Sequence, residues 1–210
     1  MNEALRLPLL LAVAGALSTL GGCASPSPHY YADAGHGVAT YAEVSAVQRP
    51  QALHLELRVL RAGKEDPDAA RTARDDVLRV LDRIGGFAIA DDAQADTLSI
   101  VISGDYDPHS RTGGRVLAHD LLLGLWLTHP VVDPLNFQFT YRPGNGAQRM
   151  ARYDHAVIST FADQPPAPDD RGPFTSVDAA FNATIEDVTL HFLKELEGST
   201  QNPAPLVYLP

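Results

Sequence analysis

The chain contains a single cysteine, Cys23, and no second one to pair with it. Beyond that residue the fold must do without disulfides, thiolate metal sites and cysteine nucleophiles, a usage that fits an oxidising compartment. Long apolar runs are also missing. Leu7 to Leu20 spans 14 residues with Pro8 near its start, short of the roughly 20 that a membrane-spanning helix needs. Leu121 to Leu127 is only seven residues long. Positive charge is scarce, with 16 Lys and Arg against 26 Asp and Glu for a formal charge of −10. An acidic chain of this kind is a poor electrostatic partner for nucleic acid or for an anionic lipid surface.

Motifs that carry catalysis are absent as well. Gly-x-Ser-x-Gly does not occur, and neither Ser103-Gly104 nor Ser110-Arg111 has the strand-turn-helix setting of a nucleophile elbow. Arg111 to Arg115 reads RTGGR, which lacks the Lys-Ser/Thr of a phosphate-binding loop and reads as a turn. Asp105, Asp107, His109, His119, Asp120, His129 and Asp133 form a region rich in acids and imidazoles. No His-x-x-x-His or His-Glu-x-x-His pair is present, so these residues read as turn acids and scattered surface histidines rather than a metal site. The Asn182-Ala183-Thr184 sequon falls within a helical pattern of an apparently bacterial chain, and glycosylation is not expected there. The expectation is a protein with no enzymatic activity, no cofactor and no metal.

What is present begins at the N-terminus. Residues 1–22 combine a short start carrying Arg6, an apolar stretch and two small residues before Cys23, the layout of an export signal. Leu20-Gly21-Gly22-Cys23 resembles the lipobox of bacterial lipoproteins, in which small residues admit a peptidase and the cysteine thiol accepts the lipid. The resemblance implies that Cys23 receives a diacylglycerol on sulfur, becomes the new N-terminus, and gains a further fatty acid such as palmitate on its amine. Two or three chains make such attachment effectively permanent, because each buried methylene contributes about 0.8 kcal/mol and one chain holds only marginally. Ala24 and Ser25 lack the acidic residue that, by family analogy, retains such proteins in the inner membrane. An outer-membrane protein facing the periplasm is therefore expected.

Removing residues 1–22 leaves 188 residues, enough for one domain with a sizeable core. Residues 23–50 are rich in Ala, Ser, Pro, Gly and His and read as a flexible tether, with a short extended piece around Tyr41 to Val47 available to the sheet. In 51–198 regular structure starts where Leu53, Leu55, Leu57 and Val59 alternate with His54, Glu56 and Arg58, the period of a half-buried strand. Asp66-Pro67-Asp68 then opens a helix carrying Ala73, Val77, Val80, Leu81 and Ile84, closed by Gly85-Gly86. An apolar step at Phe87 to Ile89 precedes a second strand with Leu98, Ile100 and Ile102. Phe137, Phe139 and Tyr141 begin a hairpin that turns at Pro143 to Gly146 and returns through Met150 to Ser159. The last helix starts near Thr175 or Ser176, aligns Val177, Phe181, Ile185, Val188, Phe192 and Leu196, and ends at Gly198.

These elements predict an α+β two-layer sandwich, with one mixed or antiparallel sheet of about four to five strands and two amphipathic helices on one face. The other face should stay wet and display His54, Glu56, Arg58, Ser99, Gln138, Thr140 and Arg142, a flat polar patch suited to a protein partner. In element order and anchoring this architecture is similar to that of small envelope lipoproteins of the LptE, LpoB and CsgG type. That resemblance transfers no residue roles.

Residues 116–132 include Leu121, Leu122, Leu123, Leu125, Trp126 and Leu127, a run that reads as a core element or as an exposed apolar contact for a bilayer or a partner. The tail 199–210 is apolar and broken by proline, suited either to covering the core or to docking. The functional expectation is a lipid-anchored, non-enzymatic binding or scaffold component of the cell envelope. The alternative is a lipid-contacting or envelope-transport accessory protein that works through 116–132.

Overall fold

A computed structural model of the chain describes residues 28–33, 35, 37–44, 51–90, 92, 95–104, 130–144, 146–160 and 172–201. In chain order its elements are β1 (His29–Ala32), β2 (Gln51–Arg61), β3 (Lys64–Glu65), α1 (Pro67–Ile84), β4 (Phe87–Ile89), β5 (Asp96–Gly104), β6 (Val131–Arg142), β7 (Arg149–Thr160) and α2 (Val177–Gln201). The strands form one sheet in the order β1-β7-β6-β5-β2-β3, with β4 also paired to β2. β2 runs parallel to β4 and β5, and every other pairing is antiparallel.

The mixed α+β content agrees with expectation, but the sheet has seven strands rather than four to five. The additional strands β1, β3 and β4 contain four, two and three residues. Segments so short cannot display a period of two. β1 corrects the boundary of the tether, since His29 to Ala32 pair with Thr160 to Val157 and are part of the sheet. The piece around Tyr41 forms a single 3-10 turn, Tyr41–Glu43, instead of an extended strand.

α1 forms where the sequence places its signals. The Asp66 side chain accepts from the backbone N–H of Asp68 at 3.1 Å and of Ala69 at 3.0 Å, Pro67 occupies the first turn, and Gly85 ends the helix with φ 74°. Its buried face carries Ala69, Ala73, Val77, Val80 and Leu81. α2 buries Phe181, Ile185, Val188 and Phe192 against the same side of the sheet, where Leu53, Leu98, Ile100, Phe137 and Phe139 lie.

α2 is not the simple two-sided helix expected, because Asp187, Thr189 and Leu190 are also buried. The segment 37–44 lies against it, with Ala39 and Val44 joining the core. The Ala39 N–H donates to Asp187 Oδ1 at 2.7 Å, and Lys194 Nζ donates to Glu43 Oε1 at 2.7 Å. β7 departs from a one-faced strand in a similar way. Ala156, Ile158 and Thr160, which point away from the helices, are as buried as Val157 and Ser159, and Tyr31 beside them on β1 is 2% exposed. The unbroken run Ala156-Val157-Ile158 is the signature of a strand covered on both sides.

At Gly104 two strands leave no room for a side chain. It pairs with Leu135, and a Cβ at this position would lie 2.5 Å from the carbonyl oxygen of Pro134. Gly104→Ala is expected to cost about 1–3 kcal/mol through forced backbone movement, read as a lower denaturant midpoint at unchanged slope.

Candidate partner face

The open face of the sheet is built by strand register. Glu56, Ser99 and Thr140 stand in one cross-strand row, flanked by a row of His54, Thr97 and Arg142 and a row of Arg58, Val101 and Gln138. All the side chains expected on the wet face therefore share one surface, on the side opposite the helices. Glu56, Arg58, Gln138 and Arg142 are exposed, while His54, Ser99 and Thr140 are half-buried. The same rows continue onto β7, where Met150 stands opposite Thr140, Arg152 opposite Gln138 and Asp154 opposite Asn136. Met150, Arg152 and Asp154 belong to the face although sequence reasoning did not name them. The signal was present, since they alternate with Ala151, Tyr153 and His155 along the return strand.

Charges on this face are locally balanced. Arg58 Nε donates to Glu65 Oε1 at 2.7 Å, Arg152 Nη2 lies 3.6 Å from Asp154 Oδ1, and His54 Nε2 lies 3.7 Å from Glu56 Oε1. Exposed pairs of this type contribute about 0–1 kcal/mol each, so they order the surface without locking it. At one end of the face a shallow depression of about 410 Å³ opens over Leu60, Ser103, Gly104, Pro134, Asn136 and Asp154. Asn136 Nδ2 donates to Asp154 Oδ1 at 2.5 Å and forms part of its polar rim. The arrangement offers hydrogen-bonding groups, a mixed charge pattern and a broad flat area, which is chemistry for recognition.

The polar groups buried deeper serve structure. Asp76, 3% exposed at the α1–α2 contact, pairs with Arg79 Nη2 at 2.7 Å. With its amide nitrogen turned inward, Asn182 donates to the other Asp76 oxygen at 2.7 Å. Burial nonetheless raises the Asp76 carboxyl above the usual carboxylate range. Tyr141 donates its hydroxyl to Asp96 Oδ2, while Asp96 Oδ1 accepts from the Gly144 N–H at 2.7 Å, which pins the β6–β7 turn. Burial, and then the Asp96 carboxylate, push the Tyr141 hydroxyl far above its ordinary value. His155 Nδ1 lies 2.9 Å from the Asp33 carbonyl oxygen; a carbonyl only accepts, so Nδ1 carries the proton.

Glu43 is the strongly shifted surface group. Its hydrogen bond with Lys194, and then those with Thr40, hold its carboxyl down at about 2, from an ordinary 4.5. A carboxyl depressed in the folded state stabilises the fold above its unfolded value and loses that contribution as pH falls towards the folded one. The contact of segment 37–44 with α2 is thus expected to weaken between about pH 4.5 and 2. In Lys194→Met the Glu43 titration midpoint, followed by carboxyl NMR, should move up towards 4.5; an unmoved midpoint would remove Lys194 as the cause.

Cys23 and the apolar positions Leu121, Leu122, Leu123, Leu125, Trp126 and Leu127 lie outside the described residues, as do Asp105 to His129 and the tail beyond Gln201. Among the described residues no group of three or more His, Cys, Asp or Glu side chains converges as metal ligands, and no helix is long and apolar enough to cross a membrane.

No known family model matches the chain, and no curated protein is significantly similar to it. Solved structures that the chain matches include a PelC variant dodecamer from Paraburkholderia phytofirmans, 12% identical with a TM-score of 0.34, covering 80% of this chain and 98% of that one. A Xanthomonas campestris protein of the DUF330 family is 16% identical with a TM-score of 0.38, covering 77% of this chain and 91% of its own. Likeness at this level carries nothing over to this chain.

Proposed function

We propose that this chain is a lipoprotein held in the bacterial outer membrane through Cys23, and that its periplasmic domain binds or supports another envelope protein without catalysing a reaction. The observation that supports the binding role is the register of β2, β5 and β6, which gathers His54, Glu56, Arg58, Gln138, Thr140 and Arg142 on one open face. A photo-crosslinking residue at Gln138, activated in the native envelope, should yield a reproducible adduct with one protein. The double variant Arg58→Glu, Arg142→Glu should abolish that adduct while changing stability by no more than about 0.5 kcal/mol, as surface changes usually do. No adduct from Gln138, Thr140 or Glu56 would sink the partner role of this face.

A second reading gives the apolar segment 116–132 a role at the bilayer. It is favoured by the attachment of residues 105–129 between Gly104 and Pro130, at the end of the sheet where β1 begins; the last two residues of the segment, Val131 and Val132, already open β6. Trp126, the only tryptophan, should then shift its emission to the blue when vesicles are added. Unchanged emission would count against insertion.

A further inference from the structure

The register places five strand ends together. His29 pairs with Thr160, Val131 with Ser159, Gly104 with Leu135 and Arg61 with Gly104, so β1 and β6 begin where β2, β5 and β7 end. We propose that this end of the sheet is the one turned towards the membrane, with Val132 beside the phospholipid headgroups. The proposal rests on the reading of Cys23 as the lipid attachment point and adds the orientation that follows from it.

Chain length limits the orientation. Only six residue steps separate Cys23 from His29, and at about 3.3–3.6 Å per step they reach at most about 22 Å. Met150 lies ten steps before Thr160 along β7, about 33 Å away at strand rise. A domain standing on its Met150 end would lift His29 about 33 Å from the surface, beyond the reach of the lipid. The short leash therefore rules out the inverted orientation, whereas a tether of the full 23–50 would have allowed it. Residues 105–129, with the seven-residue apolar run Leu121 to Leu127, are attached at the same end between Gly104 and Pro130. Anchor and apolar segment thus join the domain on one side. Val132, 51% exposed, marks this end, and Met150, 49% exposed, marks the opposite one.

Because acylation would occupy the Cys23 thiol, a cysteine introduced elsewhere is the only free one. Lipidated full-length Val132→Cys and Met150→Cys, each carrying a bimane, are placed in phosphatidylcholine vesicles containing lipid with a nitroxide on its headgroup. The Val132→Cys label should lose most of its emission while the Met150→Cys label keeps its own. Equal quenching, or stronger quenching at Met150→Cys, overturns the orientation. The intact mass of the same preparations separates the two ideas. Absent acyl chains overturn the anchor and the orientation together, while acylated protein quenched alike at both positions overturns the orientation alone.

Discussion

Phe139→Ala is expected to destabilise the domain by about 3–5 kcal/mol, the usual range for removing a buried phenylalanine. Phe139 is 1% exposed on β6, stacked on Phe192 of α2 at 4.7 Å and met edge-on by Tyr153 of β7 at 5.8 Å. Truncation leaves a cavity among three elements and removes both aromatic contacts, each worth about 0.5–1.5 kcal/mol beyond area burial. Against a total stability of about 5–15 kcal/mol, the loss brings the domain close to its threshold. The melting temperature followed by circular dichroism should fall by on the order of 10 °C. Val132→Ala, at an exposed site, should leave it within about 0.5 kcal/mol of the parent. A Phe139→Ala protein as stable as the parent would contradict the packing of α2 on β6.

Cys23→Ala is expected to abolish incorporation of labelled fatty acid and to move the protein from the membrane to the soluble fraction. Two or three acyl chains hold a protein effectively irreversibly, one holds it marginally, and none leaves only the domain's own surface. No described helix is long and apolar enough to cross a membrane in their place. The substitution lies six residues before β1, so the circular dichroism spectrum should be unchanged. Fatty acid incorporation that survives Cys23→Ala would sink the lipobox assignment. Membrane retention without incorporation would instead point to the apolar segment 116–132.

The major elements were legible because their patterns are long. β2 alternates over Leu53 to Val59, α1 carries its cap, proline and terminal glycine in order, and the Phe137 to Tyr141 alternation marks the body of β6. β1, β3 and β4 were illegible as paired strands because two to four residues show no period. The β1 pairing depends on a partner 125 or more positions away, as His29 with Thr160 and Ala32 with Val157 show. The burial of Asp187 was hidden for a related reason, since it depends on Ala39, 148 residues earlier in the chain. Composition marked residues 23–50 as a tether, but composition does not report that Tyr31 and Ala39 fit into the core. The open face was the legible part of the candidate site, because alternation assigns a side chain to a face while register alone decides which strands are neighbours.

The most direct measurement is mass spectrometry of the N-terminal peptide of the mature protein, isolated from bacterial membranes. The expected peptide begins at Cys23 and carries a diacylglyceryl group on sulfur, with a further acyl chain on the amine. A mature chain that begins at another residue, or one with an unmodified Cys23, would contradict it.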